Sequence, residues 1–345
     1  MGKYASWLEK VPDGNSGARV RDLSDQRLGQ VNSRQLDWLE DNVDLTAPEL
    51  DQLSPDRLLE RFGQTPRRRK AENPEWDVND ARLMRTLVWQ FHLQLRAGQT
   101  RPVRGTLRGF WLIRVRPLWQ SLGLLKPGEG YEGDTERSRY LIRVLDEAFD
   151  AFVLEGIFRY QDLEVYDTRE RFRLIGRELP RLIFYTDREE LFWLCREFSE
   201  RFQVSAFCSA GPPSLVSCEW ITRDLLRRQA RNLRIAALTD FDPTGREDAL
   251  LLGHKLSATV FGFQSVQTTV LTELSLFSDE VIAVAARPLR HDRGLATWLS
   301  QGGGIGGEGL GLPIALADPE RILARFRSWY ENQTRPSRTQ KSSSC

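Results

Sequence analysis

Arg234-Ile235-Ala236-Ala237-Leu238-Thr239-Asp240-Phe241-Asp242-Pro243-Thr244-Gly245 is the stretch that decides how this chain is read. The apolar run from Ile235 to Leu238 delivers two aspartates to a turn set by Pro243 and Gly245, and an amphipathic segment follows. The pattern predicts a buried strand, a sharp acidic turn and a helix. Burying unpaired charge is expensive, so two carboxylates at the carboxyl end of a strand call for a cationic partner. Mg²⁺ favours one or two carboxylates together with water and phosphate oxygens. The stretch therefore predicts phosphate chemistry.

The sequence upstream repeats the strand–helix rhythm. Strands are expected over 182–185, 204–207 and 235–238, and helices over 188–201, 214–229 and 245–256. Strands alternating with helices of this length imply a parallel sheet with flanking helices. The loops after its strands gather at one edge, where ligands bind in such folds. Segments 186–190, 209–214 and 240–245 are thus expected to sit together.

Further upstream the chain reads as helical. Short amphipathic helices are expected over 33–42 and 54–62, the second opened by Ser54 and Pro55. A basic run, Arg67 to Lys70, reads as a solvated linker. From residue 81 through 128 there is no Asp or Glu, while Arg82, Arg85, Arg96, Arg101, Arg104, Arg108, Arg114, Arg116 and Lys126 are basic. Trp89, Phe91, Phe110, Trp111 and Trp119 are interleaved with them. Such segregation is the electrostatic footprint of phosphate contact. Leu83, Leu87 and Phe91 mark one helix, 110–119 a second, and 137–154, closed by Gly156, a third. Short alternating stretches over 157–160 and 163–166 suit the hairpin of a wing.

The 345 residues suggest about two domains. With a formal net charge of +1, bulk charge names no partner. Four cysteines (Cys195, Cys208, Cys218, Cys345) without a CxxC pair argue against a zinc site or a disulfide framework, and a reducing cytoplasm is the default. No apolar run approaches the ~20 residues needed to span a bilayer. Residues 302–309 formally contain Gly-x-Gly-x-x-Gly, but no strand precedes them, so they read as a loop rather than a dinucleotide site. His92, His254 and His291 read as structural, and the polar tail over 332–345 as disordered.

This order of motifs resembles the Toprim domain as it occurs in the DNA-cleaving subunit of topoisomerase VI and its meiotic double-strand-break relatives. The likeness is carried by Leu182-Ile183-Phe184-Tyr185-Thr186-Asp187-Arg188-Glu189, by Ala210-Gly211-Pro212-Pro213-Ser214, and by Leu238-Thr239-Asp240-Phe241-Asp242-Pro243-Thr244-Gly245. Thr106-Leu107-Arg108-Gly109-Phe110-Trp111-Leu112 is similar to the winged-helix segment that bears the family's tyrosine, and the segment over 311–320 to its closing segment. The resemblance implies a helical N-terminal arm (1–80), a winged-helix DNA-binding domain (81–178), an α/β Toprim domain (179–331) and a tail (332–345). The chain departs from the pattern twice: Leu112 stands where the family has its tyrosine, and Thr186 where it has its glutamate. Leucine cannot form a phosphotyrosyl bond, so transesterification there is excluded.

A Toprim domain joined to a winged helix without the tyrosine resembles the nuclease component of Wadjet plasmid-defence systems. That arrangement implies metal-dependent hydrolysis of DNA. Asp240, Asp242 and Glu189 are then expected as catalytic residues, Asp240, Asp242 and Asp187 as ligands of Mg²⁺ (or Mn²⁺), and Arg101, Arg104, Arg108, Arg114 and Arg116 as DNA contacts. The same resemblance implies a homodimer, double-stranded DNA as partner and an ATPase of the SMC or GHKL type, with no membrane. Two alternatives stand beside it. One is a non-catalytic protein that binds DNA or acts as a scaffold. The other is a haloacid-dehalogenase-type phosphatase, since Asp240-Phe241-Asp242-Pro243-Thr244 also fits Asp-x-Asp-x-Thr, with Asp240 as nucleophile, Asp242 as general acid and Lys255 as the nearest downstream lysine.

Overall fold

A computed structural model describes residues 31–63, 78–126, 128, 135–289 and 294–335. The basic run over 67–70, His291, Cys345 and the tail beyond 335 lie outside the described residues. The chain divides into two compact units, with the break after Tyr166.

The first unit is helical. Helices α1 (Ser33–Asn42), α2 (Pro55–Phe62) and α3 (Asp80–Arg96) are opened by Asn32, Ser54 and Asn79, whose side chains accept from backbone N–H groups of the first turn. Helices α4 (Leu107–Phe110), α5 (Arg116–Ser121) and α6 (Glu136–Leu154) follow. Between α4 and α5 the backbone widens into a π turn, Trp111–Val115. Pro117 explains it: a ring nitrogen cannot donate to the carbonyl of Ile113 four residues back, so the hydrogen-bond register shifts.

Aromatic rings bind the unit together. Phe152 stacks on Phe158 at 5.1 Å and meets the edge of Trp38 from α1 at 5.1 Å, and Phe110 meets Phe149 at 5.3 Å. Residues 33–62 thus share a core with the helices that follow rather than forming an arm of their own. Arg137 clamps the buried carboxylate of Asp80 through two bonds of 2.7 and 3.0 Å.

The expected wing is corrected by the structure. Residues 157–160 and 163–166 do not pair as a hairpin: turns run over 160–164, and Val165 makes an isolated parallel bridge with Gly105. Phe158, Tyr160, Leu163 and Val165 are all buried, so the alternation records apolar side chains folded inward in consecutive tight turns. Their backbone partners lie in the segment before α4, where Val103 N donates to Leu163 O and Tyr166 N to Gly105 O.

The second unit is an α/β sandwich. Strands β1 (Glu170–Leu174), β2 (Leu179–Thr186), β3 (Val204–Ser209), β4 (Asn232–Leu238) and β5 (Ser265–Val270) form one sheet in the order β1-β3-β2-β4-β5. All neighbours are parallel except β1, which runs antiparallel to β3 at the edge. Residues 167–178 therefore belong with the sheet. Helices α7 (Phe192–Phe202), α8 (Leu215–Arg227) and α9 (Pro243–Leu256) make the connections. β2, β3 and β4 read as continuous buried runs, as strands covered on both faces must.

Helices α10 (Asp279–Ala285) and α11 (Leu295–Ser300) and a two-stranded ribbon, β6 (Arg287–Pro288) with β7 (Leu310–Gly311), follow the sheet. The closing helix α12 (Pro319–Thr334) extends through three residues expected in the tail. It packs Phe326 on Phe198 of α7 at 4.2 Å, with Phe184 of β2 edge-on to both. Alternate residues of β4 face opposite layers: Ala236 and Leu238 join the α7–α12 core, whereas Ile235 lies beside Gly253 of α9. Gly253 is required by that approach, since a Cβ there would come within 2.2 Å of Thr268 Oγ1. No helix among the described residues is long and apolar enough to cross a membrane.

Candidate functional site

Strand order fixes where a site can form. From β2 the chain crosses to β3 on one side, and from β4 it crosses to β5 on the other. The carboxyl ends of β2 and β4 are therefore adjacent, with their connections leaving in opposite directions, the crevice where α/β sheets bind ligands. Register sharpens the point: Thr186 is level with Cys208 of β3 and Leu238 of β4. The residues that follow these three share one edge, as expected for 186–190, 209–214 and 240–245. Gly211 N donates to Asp187 O at 2.8 Å, and Arg188 of the first loop reaches Asp240 of the third.

Each aspartate of the acidic turn is oriented by the backbone through one oxygen. Asp242 caps α9: its Oδ1 accepts from Gly245 N at 2.6 Å. Asp240 Oδ1 accepts from Ile314 N at 2.9 Å. That donor belongs to the closing segment, which is laid against the turn by a reciprocal pair between Phe241 and Leu312, with N···O distances of 2.9 and 3.0 Å. Gly245 is dictated by the turn, because a Cβ there would stand 2.2 Å from Asp240 O.

The other oxygens face two arginines. Arg188 Nη2 donates to Asp240 Oδ2 at 2.7 Å. Arg287, on β6, places Nη2 3.1 Å from Asp242 Oδ2 and 4.0 Å from Asp240 Oδ2. Asp187 completes the cluster. It is 1% exposed, neither oxygen has a hydrogen-bond partner, and the nearest cation is Arg188 Nε at 3.7 Å. Burial raises its pKa to about 6 against the pull of Arg188, with Asp248 and Asp240 adding to the rise. Asp248, on the first turns of α9, is raised by burial too, opposed by Arg188 and reinforced by Asp242, Glu247 and Asp240. Arg188 is held charged: burial opposes its charge, but Asp187, Asp240 and Asp242 outweigh it.

Asp187, Asp240 and Asp242 are thus brought together as expected. Glu189 is not. The single 3₁₀ turn Glu189–Leu191 buries Leu191 and sends Glu189 outward to Arg171 of β1, at 2.6 Å. Thr186, at the glutamate position, is buried and its Oγ1 accepts from Arg188 N at 3.3 Å. Lys255 Nζ donates to Pro213 O, away from the carboxylates. The tyrosine nearest in sequence to the cluster, Tyr185, is buried, and its pKa is pushed well above the ordinary value by that burial. Leu112 is half-buried in the π turn of the helical unit.

In that unit Arg101, Arg104, Arg108 and Arg114 are exposed and Arg116 half-buried. Arg104 is paired with Glu164 at 3.0 Å. Arg114 bonds Thr100 Oγ1 and lies 5.9 Å over the Phe91 ring. Cys195, Cys208 and Cys218 are buried free thiols.

The donor types suit a hard divalent cation, and the unpartnered oxygens of Asp187 are what such an ion would satisfy. As it stands, no group of three or more His, Cys, Asp or Glu side chains among the described residues is spaced to hold a metal, and guanidinium groups meet the Oδ2 atoms of Asp240 and Asp242. Arg188 was visible within the motif stretch; Arg287, Asp248 and the Ile314 N–H carried no signal of their own. No protein-family model, no curated protein and no solved structure matches this chain.

Proposed function

We propose that the protein binds double-stranded DNA and hydrolyses its phosphodiester bonds with the help of Mg²⁺ or Mn²⁺ at Asp187, Asp240 and Asp242. The observation that carries this reading is Asp187, a fully buried carboxylate with no hydrogen bond on either oxygen, beside Asp240 and Asp242 at the switch point of the sheet. An unsatisfied buried charge costs several kcal/mol, and a divalent cation at Asp187 would remove that cost. A cation held there by Asp187, Asp240 and Asp242 would supply charge neutralisation of the phosphate and a more acidic water.

The chain's own residues do the rest. Backbone N–H groups of Gly245 and Ile314 aim the two aspartates, and Arg188 and Arg287 add positive charge beside them. Leu112 offers no nucleophile and Tyr185 is buried, so in this reading the attacking group is a water. Double-stranded DNA as substrate rests on the acid-free, arginine-rich stretch over 81–128. A homodimer and an SMC-type or GHKL-type ATPase partner extend the same proposal.

The test is nicking or linearisation of supercoiled plasmid with Mg²⁺ or Mn²⁺. Asp240→Ala and Asp242→Ala are expected to lose at least a hundredfold, on the order of 3 kcal/mol of barrier. A wild-type protein that cuts with neither cation, or variants that cut as well as wild type, refutes the reading. A second reading is favoured by one observation: the inner oxygens of both aspartates already carry arginine bonds. A DNA-binding scaffold with a closed, charge-balanced turn predicts no cleavage and no binding of either cation.

A further inference from the structure

Ile113 is 74% exposed, and no large apolar side chain among the described residues of the helical unit is more so. One exposed isoleucine is ordinary by itself; the place of this one is not. It stands on the π turn Trp111–Val115, where the bond from Arg116 N to Trp111 O spans five residues instead of four. The widened turn keeps Trp111 and Val115 buried, with Trp119 a turn further on, and leaves Ile113 outside. Turns of this kind inside helices are frequent at functional sites. We propose that Ile113 is a wedge that enters between base pairs of duplex DNA and kinks it. The proposal rests on the DNA-binding half of the reading above and needs no cation.

Three observations fit a wedge. The turn has a stiff base: Trp111 and Trp119 are buried beneath it, and Phe110 meets Phe91 at 4.8 Å and Phe149 at 5.3 Å. A side chain that unstacks bases must not be pushed back into its own unit, and a β-branched isoleucine is itself stiff at χ1. The charge is complementary too. Arg108 lies about a turn before Ile113 and Arg116 about a turn after, in a stretch over 81–128 with no Asp or Glu, so cations bracket the apolar tip as phosphates bracket a base step. Arg114 turns elsewhere, to Thr100 and the Phe91 ring, on the side where Glu49 and Asp51 lie. Lastly, the exposed residue one turn after Ile113 is Pro117, so the apolar tip is a ridge rather than a point. Isoleucine and proline are among the residues that proteins drive between base steps, bending the duplex by ~20–90°. Phosphate contact alone requires no apolar side chain there.

The experiment uses the full chain as wild type, Ile113→Ala and Ile113→Leu. The probe is a short duplex with aminopurine spaced along it and a donor–acceptor pair at its ends, read at saturating protein. Wild type is expected to raise both the energy transfer and the aminopurine fluorescence, as a bent and unstacked duplex must. Ile113→Ala is expected to bind within about threefold of wild type and with the same salt dependence, because the arginines remain, but to lose most of both signals. Ile113→Leu should keep them. A duplex that wild type binds straight and stacked, or signals that Ile113→Ala retains, overturns the wedge and leaves DNA binding standing. No duplex bound at low salt overturns both. Sedimentation without DNA reads the other occupant of an apolar tip, a second copy of the chain: a dimer that Ile113→Ala splits, with the DNA signals unchanged, overturns the wedge.

Discussion

Asp187→Asn tests whether the cluster carries uncompensated charge. In the folded chain the Asp187 carboxyl has its pKa raised from 3.8 to about 6, by burial first and by Asp248 and Asp240 after it. At 1.36 kcal/mol per pH unit, that rise corresponds to roughly 3 kcal/mol. The sign follows from proton linkage. A carboxyl that holds its proton more tightly folded than unfolded costs nothing below pH 3.8. Its cost grows as pH rises and is complete above about 6. Asn removes the charge but leaves an amide in the same unpartnered position, which returns part of the gain. With divalent ions chelated, Asp187→Asn is therefore expected to be more stable than wild type by on the order of 1–2 kcal/mol at neutral pH. Urea denaturation across the pH range reads the difference, which should shrink steadily as the buffer is taken below 6 towards 4. A difference that is independent of pH, or a less stable Asn variant at neutral pH, would mean that Asp187 is satisfied and would refute the argument. Adding Mn²⁺ should then stabilise wild type and leave the Asn variant unmoved.

His92 predicts the opposite slope in the helical unit. Buried between Trp89 and Phe158 with its Nδ1 unpartnered, it has its pKa lowered from 6.5 to about 4, by burial first and by Arg96 second. Its neutral form keeps the unit stable above pH 6.5, and up to ~3 kcal/mol is lost as pH falls towards 4; His92→Phe should abolish that acid sensitivity in urea melts, and an unchanged slope would refute it. Gly245→Ala places a Cβ 2.2 Å from Asp240 O, a backbone atom that moves only if the turn opens. It should cost about 1–3 kcal/mol and weaken Mn²⁺ binding, both read by thermal unfolding with and without the ion, and a variant as stable as wild type would show that the turn is looser than its geometry.

The three central strands were legible because they carry apolar runs, and α8 and α9 because Ser214 and Asp242 cap them, whereas the edge strands β1 (Glu170–Leu174) and β5 (Ser265–Val270) carry no such run and were not expected. Ser33–Asn42 and Pro55–Phe62 were readable from Ser54, Pro55 and apolar spacing. The two strand-like stretches after α6 were misread because period-two burial has a second cause, consecutive turns that fold every other side chain inward. The site divides the same way. Asp240 and Asp242 announce themselves because their geometry is local: a strand end, a proline and a glycine required within five residues. Glu189 misled because a single 3₁₀ turn decides which side of the loop an acidic residue faces, and that turn is set by the burial of Leu191, not by the charges around it. Arg287 and the Ile314 N–H reach the cluster from more than forty residues downstream, through a two-residue ribbon and an isolated pairing of Phe241 with Leu312. Contacts of that kind leave no period and no spacing in the sequence. They also determine what surrounds the acidic turn, since the Oδ2 atoms of both aspartates meet a guanidinium there, and one of these, Arg287, comes from the two-residue ribbon.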